Sequence, residues 1–303
     1  MAGVSHSRTL TLPAPMPRTM VILNPAARAD KAGSLIHQIE DLCPNADIRK
    51  STERGEARAL AENAVREDFD QVIAVGGDGT VNEVVNGLAD SSVALGILPV
   101  GTMNVFATEL SLPTNSLQKC WEIIERGHTR SVDMAMANGH HFVQCGGVGL
   151  DAQALMATTG EFRRQWGPLS YVISAAQIAA RRPPALIVES AGLSLEGSFL
   201  MIGNGRFYGG PFRLFNDARI DDGKLDALLF KNLGYIDIVR YLQAILFGLH
   251  PELPDVEYLQ TTRLHVTSKD PVPLEVDGEV IGRVPVTFEI APSRLNVLAP
   301  PPK

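Results

Sequence analysis

Between Val75 and Leu88 the chain reads Val-Gly-Gly-Asp-Gly-Thr-Val-Asn-Glu-Val-Val-Asn-Gly-Leu, and this stretch limits the fold more than any other. The apolar run Gln71–Val75 leads into it and suits a strand buried on both faces. Gly76, Gly77 and Gly79 then permit close backbone approaches that side chains forbid. Val81, Val84, Val85 and Leu88 follow at helical spacing, so a helix leaves the turn with one face on the sheet. The start of such a helix has unpaired N–H groups and a partial positive charge, which suits a phosphate. Asp78 inside the turn would repel phosphate unless a cation lay between them, which points to Mg²⁺. The plainer alternative is an ordinary strand-to-helix turn with Asp78 as a cap. No G-x-x-x-x-G-K-[ST] occurs, which excludes a P-loop ATPase. The turn is not G-x-G-x-x-G either, which disfavours a dinucleotide-binding dehydrogenase.

Around this turn the pattern alternates. Thr19–Leu23, Asp47–Thr52, Gln71–Val75 and Val93–Leu98 read as strands, and Lys31–Leu42 and Ala57–Glu67 as helices between them. Such alternation predicts a parallel sheet covered by helices on both sides. Near residue 137 the rhythm changes. Arg130–Ala137 and His140–Cys145 flank Asn138-Gly139, a hairpin signal. Strand-like segments follow at Ala185–Glu189, Ser198–Ile202, Leu225–Phe230, Arg263–Thr267, Leu274–Val276 and Pro285–Ile290, with helical insertions at about 168–180 and 235–248. The expected fold is therefore α/β followed by mainly β.

The 303 residues, 45% hydrophobic, suffice for two domains of ordinary size. A net charge of −7 argues against a nucleic-acid partner, since such affinity comes mainly from neutralised phosphates. Cys43, Cys120 and Cys145 form no C-x-x-C pair, so a disulfide framework or zinc site is not expected, and a reducing, cytoplasmic setting is. His140-His141 reads as surface strand rather than as a ligand pair. No run reaches the roughly 18 apolar residues of a membrane span. Residues 1–17, with Pro13, Pro15 and Pro17, read as a flexible leader.

Further motifs follow in order along the chain: Asn24–Arg28, Gly76–Leu88, Pro99–Ala107, Gly147–Ala152, Gly203–Pro211, Ala218–Asp226 and Asp277–Glu279. Through this series the chain resembles the diacylglycerol kinase catalytic-domain family, which includes bacterial soluble lipid kinases and sphingosine kinases. The glycine turn alone is shared with NAD kinases and phosphofructokinases; the whole series is specific. Three positions depart from the family pattern. Arg28 stands where a glycine is usual, Val105 replaces an aspartate, and Pro211 replaces the third glycine after Gly209-Gly210.

The resemblance implies a doubly wound α/β ATP-binding domain over residues 18–137. An antiparallel, β-sandwich-like lipid-substrate domain would follow over 138–303, with the extreme C-terminus packing back on the first. It also implies transfer of the γ-phosphoryl group of ATP to a lipid hydroxyl, most naturally that of diacylglycerol. Phosphorylation of a sphingoid base or NAD on the same scaffold, or a non-catalytic nucleotide or lipid sensor, are the alternatives. The nucleotide would contact Asn24, Pro25, Ala26, Ala27 and Arg28, then Thr52, then Gly76, Gly77, Asp78, Gly79, Thr80, Val81 and Asn82, and finally Thr102. Thr102 also reads as a helix N-cap. Asp222, with the main-chain carbonyls of Arg219 and Lys224, resembles a Mg²⁺ site bracing the second domain. Glu279 would accept the proton of the lipid hydroxyl, with Asp277 orienting it. On local sequence alone, Asp221-Asp222-Gly223 and Asp277-Gly278 are only turn dipeptides. The apolar stretch Leu169–Ala180 lies between Arg163-Arg164-Gln165-Trp166 and Arg181-Arg182; it suits either a membrane surface or a packed helix. The expected partner is a lipid at a membrane surface, and a homodimer is left open.

Overall fold

Four strands rich in β-branched and aliphatic residues build the first layer: β1 (Thr19–Leu23), β2 (Asp47–Lys50), β3 (Gln71–Gly76) and β4 (Ala94–Pro99). In the computed structural model, which describes residues 16–27, 32–150, 152–153, 184–210 and 212–302, they pair in parallel in the order β2-β1-β3-β4. Every residue of β3 is buried, because helices cover both faces of the sheet. Those helices are α1 (Ala32–Leu42), α2 (Glu56–Arg66), α3 (Asp78–Leu88), α4 (Val105–Glu109) and α5 (Leu117–Glu125). Leu23 lies beside Lys50 and Val75, and Gly76 beside Pro99, so the strands end along one edge. The chain leaves β1 on one side for β2 and returns on the other for β3. A crevice for ligands opens at such a reversal, outside the carboxyl ends of the strands.

The hairpin at Asn138-Gly139 joins β5 (Thr129–Ala137) to β6 (His140–Phe142), with φ values of 47° and 85° at the two turn residues. The later strands are β7 (Cys145–Val148), β8 (Leu186–Ser190), β9 (Leu193–Gly197), β10 (Phe199–Gly203), β11 (Phe207–Tyr208), β12 (Phe212–Arg213) and β13 (Leu225–Phe230). Helix α6 (Tyr235–Leu246) precedes β14 (Val256–Thr261), β15 (Arg263–Ser268), β16 (Pro273–Val276), β17 (Glu279–Arg283) and β18 (Val286–Leu298). An antiparallel sheet runs β14-β13-β10-β7-β16-β17. Val148, Leu200, Ala227 and Leu274 from this sheet pack against Phe142, Val188, Leu264 and Phe288 from β6, β8, β15 and β18. Two apolar sheet faces thus close on each other, giving the sandwich-like second half.

Strand β18 ties the halves together. Its first part pairs with β15 and β5, and its last part with β5 and, at Val297 beside Leu95, with β4 in parallel. The predicted segment Pro285–Ile290 is only the beginning of this strand. A register shift between Ile290 and Arg294 lets it change neighbours, and that is invisible in a local pattern. Strand β9 carries no local signal in the sequence, because it is largely exposed and its turn uses Ala191 at positive φ instead of Asn or Asp. The predicted leader through residue 15, Arg28, the 163–182 segment with its helical insertion, and Pro211 lie outside the described residues.

Helices α2 and α3 touch at Gly87, where a Cβ would lie 2.5 Å from the Arg58 carbonyl oxygen and 2.6 Å from the Ala61 Cβ. Gly87→Val is therefore expected to destabilise the protein by about 1–3 kcal/mol through overpacking, read by urea unfolding. A change under about 0.5 kcal/mol would show that the helices separate freely.

Candidate active site

The loops after β1, β2, β3 and β4 meet at the carboxyl edge of the parallel sheet. Gly76 lies against the Thr80 side chain, where a Cβ would come within 2.4 Å of the Thr80 Cβ. Gly77 and Gly101 pack backbone to backbone, since a Cβ on Gly101 would fall 2.5 Å from the Gly77 Cα. Around Gly79 a Cβ would meet nothing within 4 Å, so the start of α3 opens to solvent. The result is a backbone surface at a helix N-terminus with no side chain in front of it, suited to an anion with several oxygens.

The polar residues of the glycine motif brace this surface. Asn24 Nδ2 donates to Thr80 Oγ1 at 2.9 Å, and Asn24 Oδ1 accepts from the Ala26 N–H at 3.0 Å. This fixes the short 3₁₀ turn Pro25–Ala27 beside α3. Asp78 Oδ1 accepts from the Val105 N–H at 2.7 Å. Burial pushes the Asp78 carboxyl above the usual carboxylate range, N–H groups of Val105, Phe106 and Asn104 pull it back, and the charge of Asp277 adds to the rise. Asp78 thus caps α4, a neighbouring helix. The Val105 departure leaves this bond intact because only its backbone N–H takes part. Glu83 accepts from the Gly55 and Ala57 N–H groups at 2.8 and 3.1 Å and so caps α2. Val81 is buried under α3 and contributes to packing.

Thr102 is not the N-cap of α4. Asn104 holds that position, in the left-handed conformation, and its side chain closes back on Gly101 through two bonds of 3.0 and 2.8 Å. Thr102 stays exposed on the rim. Thr52 also lies on the rim, with its N–H and hydroxyl directed to Glu56 Oε2 at 2.6 and 3.2 Å.

Asp277 and Glu279 are two residues apart and differ in what their carboxylates meet. Asp277 is half-buried with its carboxylate turned inward, and its two oxygens accept four bonds: Asn82 Nδ2 at 2.9 Å, then the N–H groups of Val143, Gln144 and Cys145 at 2.9, 3.1 and 2.9 Å. Burial raises its pKa and the four donors act in the opposite sense. Asp277 is therefore a clamp joining α3, the β6–β7 link and the β16–β17 turn. Glu279 is 30% exposed, and Arg54 Nη2 lies 3.4 Å from its Oε2. The turn between β16 and β17 thus spans from α3 to the β2–α2 loop, with the Glu279 carboxylate beside Arg54. The sequence reading missed Arg54, an exposed loop arginine whose partner is more than two hundred residues away.

His141 is not the surface residue expected. It is half-buried, and burial lowers its pKa. Asn86 clasps its backbone, accepting from its N–H at 3.1 Å and donating to its carbonyl at 2.9 Å. Asn82 and Asn86, one turn apart on α3, thereby both hold the second half of the chain.

The turn carrying Arg219, Asp222 and Lys224 reaches the clamp indirectly. Asp133 Oδ2 accepts from the Gly223 N–H at 2.6 Å, and Arg294 lies 3.0 Å from Asp133 Oδ1. Asn204 then donates to the Asp133 and Val143 carbonyls at 2.9 and 2.8 Å. Arg219 pairs with Asp221, and Asp222 Oδ1 accepts from the Lys224 N–H at 3.1 Å. Nearby Asp226 is fully buried, with Oδ1 held by Tyr258 and Gln260 and Oδ2 without a hydrogen-bond partner. Burial raises its pKa, and the charges of Asp222 and Asp217 add to the rise. Among the described residues no three acidic, histidine or cysteine side chains converge on a metal position, so of the expected Mg²⁺ ligands the turn offers the Asp222 carboxylate and the main-chain carbonyls of Arg219 and Lys224.

Replacing Asp277 by Asn puts an amide NH₂ against N–H donors. The expected cost is about 1.5–3 kcal/mol or more, seen as a lowered unfolding midpoint. An unchanged midpoint would mean that the four bonds carry no net stability.

Residues 18–137 match the diacylglycerol kinase catalytic domain, and residues 146–299 match the YegS C-terminal NAD kinase beta sandwich-like domain. A diacylglycerol kinase of Bacillus subtilis (strain 168) is 28% identical over 297 residues, covering 95% of this chain and 98% of that protein. One from Staphylococcus aureus (strain Newman) is 30% identical over 251 residues, covering 81% and 79%. A solved structure from Bacillus anthracis str. Sterne has the same fold, with a TM-score of 0.80 at 25% identity over 94% of this chain and 98% of that one. Both halves and the motifs that join them place the chain in the diacylglycerol kinase family.

Proposed function

We propose that the protein is an ATP-dependent lipid kinase that transfers the γ-phosphoryl group to the hydroxyl of diacylglycerol or a related glycerolipid. What supports this reading is the open backbone at the start of α3, together with the bond from Asn82 on the same helix to Asp277, two residues before Glu279. Phosphoryl transfer is mainly a matter of alignment and charge, so a fixed cradle and a positioned base are what it requires.

In this reading the N–H groups at the start of α3 and the Pro25–Ala27 and Gly101–Thr102 loops receive the nucleotide phosphates. Gly77 and Gly101 set the depth of the cradle, and Asp78 keeps its far wall in place by holding Val105. Glu279 takes the proton as the lipid oxygen attacks the γ-phosphorus and the bond to the β–γ bridging oxygen breaks. Arg54 holds the Glu279 carboxylate over the cleft and is free to turn to an arriving phosphate. Asp277 orients the turn and takes no proton, because all of its acceptor positions face N–H donors. A divalent cation bound at the Asp222 turn would neutralise the acidic cluster and stiffen the link to Asp133.

Three measurements test this reading. Glu279→Gln should lower kcat by about 10²–10⁴ with little change in ATP affinity, by steady-state kinetics beside ATP titration. A near-normal kcat would remove Glu279 from the reaction. Gly79→Val, in open space, should leave the melting temperature in place yet weaken ATP binding about tenfold or more by filling the cradle. Normal affinity would move the phosphates elsewhere. Without ATP, added Mg²⁺ should raise the melting temperature of the wild type more than that of Asp222→Ala. Equal responses would leave Asp222 a turn residue only.

A further inference from the structure

The residues from Tyr235 to Leu249 present an outer face with no charge. The exposed positions are Tyr235, Ile236, Val239, Gln243, Leu246, Phe247 and Leu249. Ile236 is 80% exposed, Phe247 78% and Leu246 67%. Ile236, Val239, Gln243 and Leu246 fall at helical spacing, so they form one stripe along α6, continued by Phe247 and Leu249. The opposite side is also apolar: Ile238, Tyr241 and Ala244 are buried, with Tyr241 packed edge-on against Phe199 and Phe230. A helix that is apolar on two opposite sides is ordinarily covered on both.

The charges of α6 are drawn to its flank. Arg240 bonds Asp237 at 3.2 Å and Asp255 Oδ1 at 2.8 Å, and the Tyr241 hydroxyl donates to Asp255 Oδ2 at 2.7 Å. Asp255 also accepts from Asn232 at 2.8 Å. The helix is thus pinned from below while its outer stripe stays free of charge. Exposed contiguous apolar surface of this kind marks a contact site.

We propose that this stripe seats the protein on a lipid bilayer, with Ile236, Leu246 and Phe247 entering the boundary between headgroups and acyl chains. The proposal rests on the lipid-kinase reading, in which the acceptor stays in the bilayer. Two observations favour a bilayer over a second copy. A stable dimer needs about 20–30 residues a side, and here seven lie on one helix and its following loop. Two copies also each carry −7 and repel one another. A bilayer requires no matching surface. The same net charge disfavours attraction to anionic headgroups, so apolar insertion must supply the contact. The helix packs on β10, β13 and β14, members of the sheet whose far edge, β16–β17, carries Glu279. Seating α6 therefore fixes the height of the cleft above the lipid. Among the described residues no helix is long and apolar enough to cross a membrane, so this is attachment from one side.

The test is flotation of the full-length protein with phosphatidylcholine vesicles, comparing wild type with the double variant Ile236→Asp/Phe247→Asp. The wild type should float with vesicles of no net charge and remain bound in high salt, and the variant should lose about tenfold in partitioning. In parallel, Phe247→Trp should show a vesicle-induced blue shift in emission larger than that of the wild type. Activity on long-chain diacylglycerol in vesicles should fall with binding, while activity on a short-chain diacylglycerol dispersed in water should not. Equal flotation of both proteins would overturn the proposal. So would failure of the wild type to float, or a dimer of the wild type lost in the variant. A markedly lower melting temperature of the variant would mean that the same chain covers the face, and would overturn it too. Flotation does not depend on phosphoryl transfer: if neither protein phosphorylates any lipid, the kinase reading fails while the binding result still judges α6.

Discussion

The Asp277 carboxylate is the interaction on which the rest of the site depends. Its four N–H donors come from α3, which carries the glycine turn, and from the β6–β7 link at the start of the second half. Asp277 itself sits at φ 45° in the turn that carries Glu279. One inward-turned carboxylate thus fixes three segments distant in sequence. Water competes poorly there, so each bond is worth more than it would be at the surface. Removing the clamp would leave the cradle and the Glu279 turn correct in themselves and unregistered with each other.

The glycine motif follows the same logic from the other side. Its glycines make the cradle and its polar side chains hold the neighbouring loops: Asp78 the start of α4, Thr80 the Asn24 turn, Asn82 the clamp, Glu83 the start of α2 and Asn86 the backbone of His141. Hardly a polar side chain of the motif is left to reach a ligand directly, so in the proposed reading recognition falls to backbone N–H groups. Such groups cost little reorganisation when an anion arrives, which is the usual advantage of a preorganised site.

A second polar chain extends this frame. Glu109, at the end of α4, is buried and bonds the Arg206 backbone and side chain at 2.7 and 2.9 Å and Gln144 at 3.3 Å. Gln144 is itself one of the donors to Asp277. The short helix capped by Asp78 at one end therefore reaches the clamp from its other end. The Asp222 turn joins through Asp133 and Asn204. The network is not fully satisfied: Gln144 Oε1, Asn204 Oδ1 and Asp226 Oδ2 are buried without a hydrogen-bond partner.

The sequence by itself determined the four parallel strands, the glycine cradle, the Asn138-Gly139 hairpin and the helix near residue 240. Each is written in short-range periodicity or in residues whose backbone freedom is local. The motif order also marked Asp277 and Glu279 as a pair. Only the tertiary structure decided that one is a clamp filled with N–H donors and the other a carboxylate facing an arginine, because their partners, Asn82 and Arg54, lie about two hundred residues away. The same holds for Asp78, whose bond to Val105 crosses between loops, and for β18, which changes neighbours at a register shift. The outer stripe of α6 looks in sequence like any core helix. Its exposure depends on what packs against it, and no local pattern records that.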